Sequence, residues 1–201
     1  MDIQRILSCQ RPIDLLQEWL TEVSQCPEIS EPTAMTLGTA SLKGEVSLRT
    51  VLLKELSEAG LVFYTNYNST KGQQLDENPQ AAVHFYWDPL FRQVKLQGQV
   101  EKVSRQKSVA YWQSRDRESQ LSQVISQQSQ SVERGVLLSD LVARARLKYE
   151  GQEIPCPEHW GGYLFKPQII EFWLGRPHRL HERVQFDKLP GGNWQARQLY
   201  P

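Results

Sequence analysis

The sequence predicts an α+β fold made mainly of strands, an antiparallel β-barrel with a few peripheral helices, and three observations carry that prediction. From Ala34 to the C-terminus, apolar and β-branched residues fall into six or more short runs separated by turn residues. Within Arg92 to Val100, Val94, Leu96, Gly98 and Val100 share one face and Gln93, Lys95, Gln97 and Gln99 the other, which is the alternation of a half-buried antiparallel strand. No strand–helix–strand rhythm of the kind that builds a parallel sheet runs through the chain. With 201 residues, 39% of them hydrophobic, the chain is expected to fold as a single domain over 1–201.

The elements follow in order. Ile13, Leu16, Leu20 and Val23 recur at helical spacing after Pro12, with Leu15 and Trp19 beside them, so 12–24 reads as an amphipathic helix. Strands are expected over 34–41, 45–56 and 61–67, separated by a Lys43-Gly44 turn and a turn ending at Gly60. Ser69 can cap a short helix from Lys71 to Glu77, after which Ala81 to Trp87 reads as a buried strand stopped by Asp88-Pro89. Beyond the long strand, helices are expected over 105–118 and 139–150, the second capped by Ser139 and ended by Gly151. Strands return at 160–166, 169–175, 183–188 and 194–199. Ser119 to Ser131 holds ten Ser or Gln in thirteen positions and reads as a solvated loop.

Composition excludes several function classes. Twenty-three Lys+Arg balance twenty-three Asp+Glu, so no global field would draw the chain to nucleic acid or an anionic membrane. The apolar runs fall short of the roughly 20 residues a spanning helix needs, and the N-terminus lacks the build of a secretory signal, so a cytoplasmic address is expected. Cys9, Cys26 and Cys156 are scattered, and His84, His159, His178 and His181 form no metal-type pair, so no disulfide and no metal site is expected. No G-x-S-x-G, motif-flanked cysteine or glycine-rich phosphate loop points to nucleophilic catalysis.

What remains is anion binding by local clusters, because a phosphate ester needs several charge-assisted donors converging on one point. Arg49 and Lys54 sit in a run that otherwise looks buried, where a guanidinium is costly unless an anion meets it, and five residues apart they would point to opposite faces of a regular strand. An edge strand whose charges reach solvent is the competing reading. Tyr111, Arg115 and Ser119, spaced four and four, form one stripe if their helix continues, offering a phenol, a guanidinium and a hydroxyl to one phosphate; a merely polar helix face is the alternative. Arg179, His181 and Arg183 alternate, which in an extended segment projects all three to one side. Trp173 and Glu171 share a strand face, where Trp173 suits a core and Glu171 an arginine partner. The pattern suggests two neighbouring phosphate sites with aromatic residues near them, as a phosphorylated cofactor and a phosphorylated substrate would require.

Six segments then point to a family. Arg49-Thr50-Val51-Leu52-Leu53-Lys54, Phe63-Tyr64-Thr65-Asn66-Tyr67, Asn78-Pro79-Gln80-Ala81-Ala82, Arg92-Gln93-Val94-Lys95, Trp160-Gly161-Gly162-Tyr163 and Glu171-Phe172-Trp173-Leu174-Gly175-Arg176 together resemble the pyridoxamine 5′-phosphate oxidase family, in order from about Pro32 to Pro201. The resemblance implies an FMN-binding split β-barrel that works as a homodimer with its sites at the subunit interface. It would oxidise pyridoxamine and pyridoxine 5′-phosphate to pyridoxal 5′-phosphate, with molecular oxygen as acceptor and release of hydrogen peroxide, and of ammonia from the amine. A non-catalytic flavin or pyridoxal-phosphate binder of the same fold, and a related oxidase of larger aromatics, remain as alternatives.

Carried over by motif, the resemblance places FMN against Arg49, Thr50, Val51, Leu52, Leu53, Lys54, Tyr64, Thr65, Lys71, Gln93, Gln128, Ser129, Trp173 and Arg183. It places the substrate phosphate against Lys54, Tyr111, Arg115 and Ser119, and Arg179, Leu180 and His181 over the substrate ring, with Arg179 and His181 as the catalytic pair. Thr70 stands where the family usually has an arginine on the flavin phosphate, which implies looser FMN binding. Asp116 replaces a proline, Leu174 replaces a glutamine, and the N-terminus lacks the Arg-Arg-Glu-Tyr-like segment that in relatives covers the substrate.

Overall fold

The computed structural model describes residues 2–201. Nine strands, all antiparallel to their neighbours, make one curled sheet: β1 (Ala34–Ala40), β2 (Val46–Leu52), β3 (Glu55–Ser57), β4 (Gly60–Asn66), β5 (Gln80–Trp87), β6 (Arg92–Lys102), β7 (Trp160–Leu174), β8 (Glu182–Lys188) and β9 (Trp194–Leu199). The sheet runs β2-β1-β5-β6-β7-β4-β3, and β8 joins β7 and carries β9. One edge of β7 pairs with β6 from Tyr163 to Leu174, while its other edge pairs with β4 from Trp160 to Phe165 and with β8 from Ile169 to Leu174. The sheet therefore forks at Lys166–Gln168, where the register against β6 shifts: Gln97 faces Ile169 but Gly98 faces Pro167. Gln168 is the extra residue of a β-bulge, a place that also tolerates the missing N–H of Pro167. This is why the two expected strands at 160–166 and 169–175 are one.

Six helices decorate the sheet: α1 (Ile3–Leu7), α2 (Pro12–Ser24), α3 (Thr70–Glu77), α4 (Arg105–Ser114), α5 (Arg117–Ile125) and α6 (Leu138–Lys148). The apolar stripe of α2 buries Ile13, Leu16, Trp19, Leu20 and Val23 in the barrel core. Trp19 is fully buried, edge-on to Phe172 with ring centroids 5.0 Å apart. A second, smaller core of Trp112, Leu121, Ala145, Ile154 and Trp160 holds α4, α5 and α6 against the start of β7. Among the described residues no helix is long and apolar enough to cross a membrane.

Several local expectations change. The run 45–56 is two strands broken at Leu53–Lys54, and β2 is a terminal strand of the sheet with Val46 and Leu48 exposed, so the competing edge-strand reading describes it better than a buried one. β5 is half buried, alternating core residues such as Val83 and Phe85 with exposed ones such as Tyr86. The helix expected over 105–118 ends at Ser114: Arg115 is extended (ψ 149°) and Asp116 restarts the chain as α5 by accepting a hydrogen bond from the Ser119 N–H at 2.8 Å. Much of the expected Ser/Gln loop is thus helix, because Leu121 packs into the small core and outweighs a polar composition. Ser139 lies inside α6 rather than capping it, and the N-cap position, Leu137, makes no side-chain cap.

Candidate active site

β2 and β4 face each other across the open seam of the barrel, and a cavity of about 870 Å³ lies there. Its wall gathers Arg49, Thr50, Val51, Leu52 and Lys54 from β2 and its exit, Tyr64 and Thr65 from β4, and Lys71 from α3. Tyr111, Arg115, Asp116, Ser119, Gln128 and Ser129 line it from the α4–α5 side, the Asp116 carboxylate capping α5 without forming an ion pair with Arg115. Arg49 and Lys54 therefore share one cavity instead of addressing opposite faces, because β2 stops at Leu52 before Lys54 is reached. Tyr111, Arg115 and Ser119 converge although their helix is broken, the break itself turning Arg115 inward.

Three of the four cations of this cavity, Arg49, Lys71 and Arg115, are held by neutral groups. Arg49 donates from Nη1 to Thr39 Oγ1 (2.6 Å) and the Leu37 carbonyl (3.2 Å), and from Nη2 to Ser47 Oγ (2.6 Å). Gln74 Oε1 accepts in turn from both hydroxyls, at 2.5 and 2.7 Å. Lys71 Nζ, buried, donates to Ser69 Oγ (3.2 Å) and Gln128 Oε1 (3.1 Å). Arg115 donates from Nη2 to the Ser119 carbonyl at 3.4 Å. Among the described residues no carboxylate forms an ion pair with Arg49, Lys71 or Arg115, whereas Arg5, Arg92, Arg146 and Arg183 each have one. Uncompensated buried charge is unfavourable unless a mobile anion completes it.

Electrostatics follow from burial. Desolvation lowers Arg49 and Arg115 from the usual guanidinium value, and desolvation, then the charge of Arg49, pushes Lys71 down to about 8. Burial pushes Tyr64 up to about 12 and raises Tyr111, so both phenols stay protonated donors at neutral pH. The segment after α5 is tied down here: Asn66 Nδ2 donates to the Ser126 carbonyl (3.3 Å), Thr65 Oγ1 to Gln128 Oε1 (3.4 Å) and the Thr70 N–H to Ser129 Oγ (3.3 Å). A larger recess of about 1230 Å³ lies on the other side of Arg115. Its Arg105 and Arg117 are engaged by main-chain carbonyls and its Arg146 by Glu118, so it offers an anion less.

The remaining candidates lie elsewhere in the protomer. Gln93, Trp173 and Arg183 are aligned in register across β6, β7 and β8, and His181 rests against Trp173 with ring centroids 4.6 Å apart. The expected common face of Arg179, His181 and Arg183 does not form. His178 and Arg179 sit in the left-handed region (φ 57° and 61°), a strained turn for two consecutive non-glycine residues, which leaves Arg179 and Leu180 exposed. Arg183 turns to Glu171 (2.8 Å), which Lys95 also meets at 2.9 Å. Burial alone would raise Glu171, but hydrogen bonds from Arg183 and Lys95 outweigh it and hold the carboxyl below its ordinary range. No residue of this second cluster lines the seam cavity.

Sequence reasoning missed Trp160 and Ser47 in the cavity wall and Thr39 and Gln74 behind Arg49. Trp160 had a signal, since it opens one of the six family-like segments. Gln74 had only its i+3 position from Lys71 on a short helix, which marks nothing chemical.

Comparison with known proteins gives this geometry a family. Residues 22–149 match the model of the pyridoxamine 5′-phosphate oxidase family, and residues 160–201 match that of the pyridoxine 5′-phosphate oxidase C-terminal dimerisation region. The pyridoxine/pyridoxamine 5′-phosphate oxidase of Synechocystis is 50% identical over 183 residues, covering 91% of this chain and 85% of the relative. That of Thermosynechococcus vestitus is 44% identical over 201 residues, covering 98% and 94%. Among solved structures, PhzG from Burkholderia lata, in complex with tetrahydrophenazine-1-carboxylic acid, superposes with a TM-score of 0.88 at 29% identity, covering 96% of this chain and 94% of that one. An FMN-binding protein from Nostoc punctiforme shares the fold at a TM-score of 0.75 and 16% identity, covering 92% and 96%. With two family models spanning most of its length and relatives of such identity, the chain belongs to the pyridoxamine 5′-phosphate oxidase family.

Proposed function

We propose that the chain is an FMN-dependent oxidase that converts pyridoxamine and pyridoxine 5′-phosphate to pyridoxal 5′-phosphate with molecular oxygen as acceptor, acting as a homodimer. The observation that carries this reading is the seam cavity whose half-buried Arg49 and Arg115 and buried Lys71 are all held by neutral acceptors. Cations positioned in this way are ready for phosphate esters. Those residues fit FMN at one end: Arg49, Thr65, Lys71, Gln128 and Ser129 form a donor-rich pocket for its phosphate. Tyr64 supplies an aromatic wall, and β2, hydrogen-bonded only to β1, turns a free main-chain edge toward the seam. Thr70 lines this pocket as a hydroxyl where an arginine would add a further cation. Bound FMN supplies a two-electron acceptor that oxygen can reoxidise.

The chain's own residues orient and hold. Lys54, Tyr111, Arg115 and Ser119 bind the substrate phosphate and so fix where its ring lies, converting binding energy into orientation. Arg179, Leu180 and His181, with Gln93, Trp173 and Arg183, belong to a cluster outside the seam cavity, and we assign that cluster to the site of the partner protomer. The match of residues 160–201 to a dimerisation region supports this, because that stretch carries five of the six. In a two-fold dimer both sites would then be composite. Aerobic turnover with each phosphorylated vitamer, following aldehyde and peroxide together, tests the function; absence of either product with both vitamers, in FMN-loaded protein, refutes it.

Lys71 gives the cofactor site a pH signature. A phosphate dianion beside it raises its pKa from about 8, so binding takes up a proton wherever the free lysine is neutral. FMN affinity should hold steady below pH 8 and drop about tenfold between pH 7 and pH 9. Fluorescence titration of the apoprotein at those two pH values checks it, and equal dissociation constants would contradict the assignment of Lys71 to the phosphate.

A further inference from the structure

The Trp160-Gly161-Gly162-Tyr163 segment has so far been given no chemical task. We propose that Trp160, backed by Trp112, is a positioning residue for the substrate's phosphate, its indole face holding the Arg115 guanidinium in place without neutralising it. This rests on the reading that Arg115 meets that phosphate.

Arg115 needs such a hold. It follows the last turn of α4 with an extended backbone, so no helix fixes its side chain, and its hydrogen bond to the Ser119 carbonyl is long at 3.4 Å. Its Cζ stands 5.0 Å from the ring centroid of Trp160 and 5.7 Å from that of Trp112. Both lie within the roughly 6 Å over which a ring face attracts a cation. The two indoles meet at 69°, with centroids 4.9 Å apart, and form a corner for the guanidinium. Both are almost wholly buried, at 2% and 1% exposure, so the corner is rigid. A carboxylate in this place would hold Arg115 as firmly but would cancel the charge that the phosphate is to meet. A ring quadrupole orients a cation while leaving it a full positive charge.

The surroundings fix the indoles in turn. Trp112 Nε1 donates to the Ile154 carbonyl at 2.8 Å. Arg105 donates to the carbonyls of Cys156, Pro157 and Trp160, pinning the chain where it enters β7. Gly161 permits the close approach that follows: a Cβ there would fall 2.2 Å from the Tyr67 hydroxyl oxygen. The Trp160 ring also lies nearly parallel to Tyr64 (5.5 Å, 14°) and Tyr111 (6.2 Å, 5°), so one indole organises both the guanidinium and the phenol assigned to the phosphate.

The test uses the FMN-loaded protein, with the KM for pyridoxamine 5′-phosphate and the inhibition constant of inorganic phosphate as readouts. Trp160→Leu should raise both constants about tenfold, equivalent to about 1.4 kcal/mol, and leave kcat within twofold. Trp160→Phe, which keeps an aromatic face, should stay within about threefold of wild type for both. If Trp160→Leu leaves both constants within twofold while Arg115→Ala raises them, the indole platform is wrong; if Arg115→Ala also leaves them unchanged, the reading of Arg115 fails first. Trp160→Phe as damaging as Trp160→Leu would assign Trp160 to packing alone and overturn the proposal. Should the leucine variant not fold, Trp160→Met takes its place: a rise of about tenfold in both constants with kcat preserved supports the platform, and no rise overturns it.

Discussion

Mixing an Arg115→Ala protein with an Arg179→Ala protein, each nearly inactive at low substrate, should restore about a quarter of wild-type turnover once subunits have exchanged. Losing a charge-assisted hydrogen bond costs about 1.5–3 kcal/mol, so each parent alone should fall roughly 10- to 100-fold in kcat/KM. Arg115 lines the seam cavity and Arg179 stands on an exposed turn beyond the end of β7, so one protomer does not bring them together. If each site takes Arg115 from one chain and Arg179 from the other, a mixed dimer concentrates both lesions in one site and leaves its second site whole. Random exchange makes about half of the dimers mixed, each with one working site in two. If both side chains served a site within their own protomer, every site of the mixed dimer would keep one lesion and nothing would be regained. Activity as a function of mixing ratio separates the two outcomes.

Trp19→Ala should cost about 3–5 kcal/mol of stability. Trp19 has no exposed surface and meets Phe172 edge-on at 5.0 Å and Trp87 at 6.5 Å, with the Arg92 guanidinium over its ring at 4.9 Å. It is how α2 anchors to strands β5, β6 and β7, so its removal opens a cavity under the helix that the stiff sheet cannot close. For a chain of this length that corresponds to a fall in Tm of roughly 10 °C or more. Thermal denaturation followed by circular dichroism measures it, and a shift under about 3 °C would mean that the site collapses around the smaller side chain.

The sequence shows the strands more plainly than the junctions between them. β6 was legible from one alternating stretch because half-burial forces a period of two, and α2 was legible because its apolar stripe forces a period near four. Where the outcome depends on distant partners the local pattern misleads. Pro167 and Gln168 read as a break, yet a bulge against β6 carries the strand through. Ser119 to Ser131 reads as loop, yet Leu121 docks in a core built from α4, α6 and the segment before β7. Of the candidate site, the motif residues on β2, β4 and α3 and around Arg115 do gather in one cavity, while the network behind Arg49 was invisible because Thr39 and Gln74 lie 10 and 25 residues from it in sequence. Arg179 and His181 stood in a pattern that assumed an extended chain, and the left-handed turn at His178 and Arg179 overrides it.

The unbroken course of β7 sets a ruler inside the molecule. Trp160 borders the seam cavity at its first residue and Trp173 stands one residue from its last, so thirteen residues of strand separate them, roughly 40 Å at the rise of an extended chain. Hairpin tips such as that at Gly191 and Gly192 can lengthen or shorten without moving either end of this ruler. A single deletion between Ile169 and Phe172, beyond the bulge, would shorten it by about 3.3 Å and turn every later side chain to the opposite face.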